Sequence, residues 1–199
     1  MQLSHSQISI NNKTALLFLA LAVTLAVVNI LLLKQNYELK ALLGKYPTEA
    51  AELKPGTALR PLEGLDAEGT KLIIGYGQDN RKTLLLSFIP GCEACEKNMP
   101  YWKAIIKDLD KNAYRLVGVS LITETSLIKE FTSRYELNDL PIIATLNSDC
   151  REAYQLKSTP QTILISADGR VENVWTGIIE GEKRKQVESS LGIKLPESN

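Results

Sequence analysis

The apolar positions of this chain fall into three patterns, and each predicts a different kind of element. Residues 14–33 (TALLFLALAVTLAVVNILLL) contain no charge and are bounded by Lys13 and Lys34. That length matches a helix crossing a hydrocarbon core, which needs about 20 apolar residues. The run is apolar on every face, unlike a helix packed on one side of a core. It also exceeds the apolar stretch of a cleaved signal peptide, about 7–15 residues. An uncleaved transmembrane anchor is therefore expected over 14–34. The second pattern is a continuous apolar run at 83–89 (TLLLSFI), the mark of a strand buried on both faces. Runs at 114–122 (YRLVGVSLI), 142–146 and 161–166 (QTILIS) predict three more strands. The third pattern is helical spacing. Trp102, Ile105, Ile106 and Leu109 predict a helix ending near 110, and Leu127, Ile128 and Phe131 predict one over 124–135 with those three facing inward.

Turn signals complete the outline. Residues 59–76 read as a β-hairpin, with Gly64, Asp66 and Gly69 in its turn and the returning strand at 71–76. A polar loop follows at 77–82. Asn147, Ser148 and Asp149 cap a short helix over 150–156. A tight turn at 167–170 (ADGR) leads into an antiparallel return at 171–176 (VENVWT), and a helix over 180–191 closes the domain. Residues 35–43 continue the first helix, with Leu39, Leu42 and Leu43 as apolar positions and Gly44 as its stop. Residues 45–56, with Pro47, Pro55 and Gly56, read as a tether in which AAEL forms one helical turn. The expected organisation is an N-terminal tail at 1–13, the anchor at 14–34, a juxtamembrane helix and linker at 35–56, one domain at 57–195 and a tail at 196–199. The alternation of strands and helices, ending in a hairpin, makes that domain α/β, with a mixed central sheet and helices on both faces.

Composition narrows the chemistry. The 23 basic and 23 acidic residues balance, so no nucleic-acid partner is expected, since that calls for a basic excess on one face. A structural zinc site wants four ligands, commonly two Cys pairs or a Cys pair with a His pair. The only histidine, His5, lies in the N-terminal tail, and a third ligand beside Cys92 and Cys95 could come only from Cys150 or a carboxylate, so no metal is expected. Cys92 and Cys95 stand in Gly91-Cys92-Glu93-Ala94-Cys95, directly after a predicted buried strand and at the start of a predicted helix. Unpaired N–H groups and the helix dipole at that location favour a thiolate, the attacking species in thiol–disulfide exchange. Cys92 is the expected nucleophile and Cys95, more buried, the resolving thiol. The redox-active Cys92–Cys95 disulfide would be the whole of the redox equipment, with no other cofactor. Glu93 and Glu96 flank the pair, and acidic neighbours disfavour a thiolate. On that argument the centre is a reductant. Pro100 should kink the helix. Cys150 reads as an inert buried thiol or a third redox group. Trp102, Trp175 and the tyrosines read as packing residues, and 180–185 as a solvated helix face.

The order strand, Cys-x-x-Cys helix, strand, helix, strand, helix, X-Pro, hairpin, helix resembles the thioredoxin fold. More narrowly, the chain resembles the membrane-anchored TlpA/ResA-type proteins of the redoxin group, over about residues 55–195. The matching residues are 88–95 (FIPGCEAC), Pro100, 154–162 (YQLKSTPQT) and 163–171 (ILISADGRV). The resemblance implies that Pro160 is cis and faces the dithiol, and that the backbone of Thr159 pairs with a substrate peptide. Gly91, Glu93 and Ala94, which surround the pair, complete the expected substrate contacts. Protein thiols and disulfides are the implied substrates. Pro90 stands where the family commonly has Trp. Asn98 stands where several relatives have a Glu that assists proton transfer, so that role is not carried over. Cys150 is a third departure.

The charges flanking the anchor, Lys13 on one side and Lys34, Glu38, Lys40 and Lys45 on the other, do not decide topology. The presumed chemistry places the N-terminus inside and the domain outside, in a bacterial periplasm or at the cell surface, because exchangeable disulfides belong to oxidising compartments. Three other functions share the sequence. A peroxiredoxin-like peroxidase needs Thr or Ser three positions before its cysteine, where this chain has Ile89. A dedicated thiol donor to a cytochrome or metalloprotein would use the same dithiol on one client. A binding module would keep the cysteines as structure only.

Overall fold

The computed structural model describes residues 12–45, 53–137 and 139–197. It divides into two compact units, Met1–Ala50 and Ala51–Asn199. In the first, helix α1 (Asn12–Lys45) contains a 22-residue stretch, Ala15–Asn36, with a mean hydropathy of 2.9. None of that stretch is buried. Two of its polar side chains, those of Thr24 and Asn29, are satisfied inside the helix. Thr24 Oγ1 donates to the Ala20 carbonyl at 2.7 Å, and Asn29 Nδ2 to the Leu25 carbonyl at 3.0 Å. Such internal pairing lets a helix enter an apolar medium without orphaned donors. By length and composition the helix can cross a membrane. It ends at Lys45, one residue past the expected stop at Gly44. The side chains of Leu39, Leu42 and Leu43, and residues 46–52 of the expected tether, lie outside the described residues.

The second unit begins with a hairpin. Strands β1 (Leu62–Leu65) and β2 (Lys71–Ile74) pair antiparallel. Asp66 closes their turn, its Oδ1 accepting the N–H groups of Glu68 at 2.9 Å and Thr70 at 2.8 Å. The central strand β3 (Lys82–Phe88) pairs parallel with β4 (Tyr114–Ser120) and antiparallel with β7 (Gln161–Ile165). With β5 (Ile142–Ile143) and β8 (Val171–Thr176) at the edges, the sheet order is β5-β4-β3-β7-β8. Helices α2 (Glu93–Asp108), α3 (Thr125–Arg134), α4 (Ser148–Ala153) and α5 (Gly181–Leu191) fill the intervals. This is the thioredoxin-like arrangement that the resemblance implies.

Strand alternation sorts the core into two clusters. Leu84, Leu86 and Phe88 pack with Met99, Trp102 and Ile105 of α2, Ile128 and Phe131 of α3, and Val187 and Leu191 of α5. Leu85, between them on β3, packs with Val117, Ile163, the hairpin residue Leu62, and Cys150 and Tyr154 of the α4 region. Burial of these two faces is what drives the unit to fold, at about 25 cal/mol per Å² of apolar surface.

Two sequence expectations change. The strand expected over 142–146 is two: β5 joins the central sheet, while β6 (Thr145–Leu146) joins the hairpin sheet, in order β2-β1-β6. Buried Ala144 marks the crossing, its N–H donating to Leu65 O at 2.8 Å. Gly64 permits the approach, because a Cβ there would collide with Ile143 and the Thr145 carbonyl. Leu127, expected inward, is 46% exposed. Ile128 and Phe131, three positions apart, hold the core-facing edge of α3, and Leu127 falls beside it.

Candidate active site

The site forms where β3 hands the chain to α2. After Phe88 the backbone turns, with Cys92 N–H donating to Ile89 O at 3.1 Å and Gly91 at φ +78°, a conformation that favours glycine. Cys92 is the N-cap of α2: its Sγ accepts the N–H of Cys95 at 3.3 Å. A sulfur thus occupies the place where a capping oxygen usually sits. Cys92 is half-buried and Cys95 fully buried, as expected of an attacking and a resolving thiol. Both are free thiols here.

The opposite wall comes from the segment between α4 and β7. The Thr159–Pro160 peptide is cis, and Pro160 is buried. Thr159 Oγ1 lies 3.7 Å from Cys92 Sγ and donates to it. The structure therefore brings together Cys92, Cys95, Thr159 and Pro160. Gly91 and Glu93 are exposed beside the sulfur and Ala94 is half-buried, so all three border the same surface. Cys150 is placed elsewhere, in the cluster with the hairpin. Its Sγ accepts from Glu63 N–H at 3.4 Å and lies 3.5 Å from the Pro61 carbonyl.

Burial raises the Cys92 thiol, but donors outweigh it: the Cys95 thiol and N–H, the Thr159 hydroxyl and the Ala94 N–H together hold it below the ordinary thiol value. Burial pushes Cys95 the other way, up to about 11, and its bond to Cys92 adds to the rise. The pair is split into a readily ionised outer thiol and a reluctant inner one. The lowered Cys92 value agrees with the thiolate expected at the helix start and runs against the direction expected from the acidic flank of Glu93 and Glu96. The Glu93 side chain is 82% exposed and bound to Lys97 at 2.6 Å, so its charge is screened by water and by that lysine, whereas the donors touch the sulfur. The Lys97 bond also holds the Glu93 carboxyl below its ordinary value.

Three side chains matter more than sequence reading indicates. Trp102, read as packing, donates Nε1–H to Thr162 Oγ1 at 3.0 Å within the core, tying α2 to β7. Asn98 is fully buried, and its Oδ1 accepts the Ile179 N–H at 2.8 Å. The available signal was its place on the buried face of α2, three residues after Cys95 and four before Trp102. Lys183, read as part of a solvated face, bonds the carbonyls of Thr176 and Ile178. Pro100 lies inside α2, which continues to Asp108. Among the described residues no group of three or more His, Cys, Asp or Glu is placed to hold a metal ion.

Against known proteins, the AhpC/TSA family model matches residues 56–174. A thiol-disulfide oxidoreductase ResA from Halalkalibacterium halodurans is 26% identical over 107 residues, covering 54% of this chain and 58% of that protein. The ResA of Bacillus subtilis is 28% identical over 86 residues, covering 43% of this chain and 48% of that protein. The chain thus spans about half the length of the curated relatives it matches. Among solved structures, the thioredoxin domain of a thiol-disulfide oxidoreductase from Bacteroides vulgatus superposes with a TM-score of 0.54 at 18% identity, over 70% of this chain and 99% of that one. At that identity the likeness is one of fold.

Proposed function

The chain belongs to the AhpC/TSA family, and on that premise we propose that it is a membrane-tethered thiol–disulfide oxidoreductase that reduces disulfides of protein substrates. The observation that carries the proposal is the placement of Cys92 Sγ, capping α2 within reach of Cys95 N–H and the Thr159 hydroxyl. The names of the ResA relatives support the same chemistry. The Cys92 thiolate attacks one sulfur of a client disulfide and expels the other as a thiolate, giving a mixed disulfide. Cys95 then loses its proton and attacks Cys92 Sγ, expelling the second client thiolate and leaving a Cys92–Cys95 disulfide. Two electrons pass to the client, and an external dithiol must restore the pair. Cys95, held protonated by burial, waits until Cys92 is engaged.

The reducing direction rests on what surrounds the sulfur. Neutral donors stabilise the Cys92 thiolate, and the neighbouring cation Lys97 is bound to Glu93. A lowered thiol pKa by itself stabilises the reduced form and raises the potential. Because the stabilising groups are neutral, that rise is smaller than one caused by an unpaired cation, and the pair is proposed to lie on the reducing side of a strongly oxidising centre. Thr159, Pro160, Gly91, Glu93 and Ala94 are the proposed client contacts, and α1 the tether. The domain is proposed to face an extracytoplasmic space, where disulfides persist as substrates.

A redox titration of the detergent-solubilised full chain, read by thiol alkylation and mass spectrometry, tests the proposal. The expected result is a Cys92–Cys95 pair titrating well below about −120 mV, the potential of the strong oxidant DsbA, with Cys150 remaining a thiol. A pair that never forms refutes the mechanism, and one that titrates near the DsbA value reverses the direction.

A further inference from the structure

The dithiol helix and the Pro160 segment belong to different parts of the chain, yet the Thr159 hydroxyl must stay within reach of Cys92. Two polar links from α2 hold them in register. One is the direct Trp102–Thr162 bond. The other runs through the loop after β8. Asn98 Oδ1 holds Ile179 N–H at 2.8 Å, and two residues earlier in the loop Gly177 N–H donates to the Pro160 carbonyl at 2.7 Å. From the outside Lys183 grips the carbonyls of Thr176 and Ile178. The loop is thus bonded to α2, to the cis-proline peptide and to α5 within four residues.

Asn98 is an unusual choice for this position. It sits fully buried among Cys95, Met99, Tyr101 and Trp102, and its Nδ2 has no partner. A buried amide with an idle donor is destabilising relative to a satisfied one, so packing alone would favour an apolar residue. What the position uses is the acceptor. We propose that Asn98 is a positioning residue, whose carboxamide oxygen, through Ile179 and Gly177, sets the Thr159–Pro160 segment against the dithiol. The inference rests on the reading of Cys92 and Cys95 as the exchange pair.

The test compares the full chain with its Asn98→Ala and Asn98→Asp variants. Asn98→Ala removes the acceptor, and Asn98→Asp keeps an oxygen facing Ile179. Two readouts are followed: the pH profile of Cys92 alkylation, and KM and kcat for reduction of a disulfide-bonded peptide. In Asn98→Ala the alkylation rate at neutral pH should fall, and KM should rise, each by about two- to tenfold, the range carried by one net hydrogen bond. Asn98→Asp should recover at least part of both. Lys183→Met loosens the same loop without touching the core and should move both readouts in the same direction by less. That keeps the test open if the alanine variant fails to fold. If the alanine and methionine variants are less stable but their alkylation profiles and KM overlay the parent, Asn98 is a packing residue only and the proposal is overturned. If the parent itself shows no Cys92–Cys95 pairing, the exchange reading fails first and this inference fails with it, an outcome visible before any variant is made.

Discussion

Two buried thiols sit in the two apolar clusters of the same domain, and their fates differ. Cys95 and Cys150 are almost equally hidden, at 0% and 2% exposure. Each lies at or near a helix start, and each sulfur has a polar neighbour. Cys95 lies beside a second thiol that caps the helix, and beside the Thr159 hydroxyl from the segment between α4 and β7. The Cys150 sulfur makes its hydrogen bonds with the backbone of the hairpin segment, at Glu63 N–H and the Pro61 carbonyl. Burial alone therefore assigns no chemistry to a cysteine. On the proposed mechanism, what separates the resolving thiol from the other buried one is a partner sulfur within one helical turn, and a donor that can discriminate between the two.

The sharpest way to break this comparison is to exchange the sulfurs. Cys92→Ser should reduce disulfide-exchange turnover to the assay background, while Cys150→Ala leaves turnover unchanged. Equal losses in the two variants would make Cys150 part of the site. A second test uses pH. Cys95 ionises near 9.0 when unfolded and only at about 11 when folded, so its contribution is intact below 9.0 and lost as pH rises through 11. Denaturant melts of the reduced protein should show stability falling across that window, and the fall should shrink in Cys95→Ala. Tyr76, pushed up to about 12 by burial, acts with the same sign at higher pH. Cys92, held low, acts in the opposite sense, adding stability as pH rises toward 9.0.

On the structural side, Cys150→Ala leaves Glu63 N–H without its sulfur acceptor. It should cost about 1–3 kcal/mol, read as a lowered urea midpoint with an unchanged slope. The smallest expected effect comes from the same helix. Gln155 follows α4 at φ +51°, and its buried Oε1 has no partner. Gln155→Gly should stabilise the fold by about 0.5–1 kcal/mol, because glycine enters the left-handed region freely. A destabilised glycine variant would mean that the glutamine side chain carries packing that outweighs its backbone strain.

Much of the fold was legible because the local signals agree with one another. The uninterrupted run at 83–89, the Asp66 turn and the Asn147 cap each have a physical cause that is visible in the chain. The dithiol was legible too, since two cysteines at helical spacing after a buried strand leave few alternatives. The split of 142–146 was not, because two short strands with one buried alanine between them look like one strand until their partners are known. The weight of the acidic flank at Cys92 was overstated for a related reason. Sequence shows charges next to it in the chain, Glu93 and Glu96, but not the Thr159 hydroxyl 67 positions away that touches its sulfur. Asn98 and Lys183 act through loop carbonyls and N–H groups, which no side-chain pattern displays.

The division of labour at Ala144 also bears on how the domain comes into being. Gly64 pairs with Leu146, and Ala58 bridges to Arg170, so β1, already paired with β2, gains its second partner only after most of the domain has been made. During synthesis the hairpin waits with one edge open, and the entropy of closing those long loops is met late. Such distant pairings slow folding relative to a fold built from neighbours. The same wiring means that a truncation before Leu146 removes the third strand of the sheet that the N-terminal hairpin helps to build.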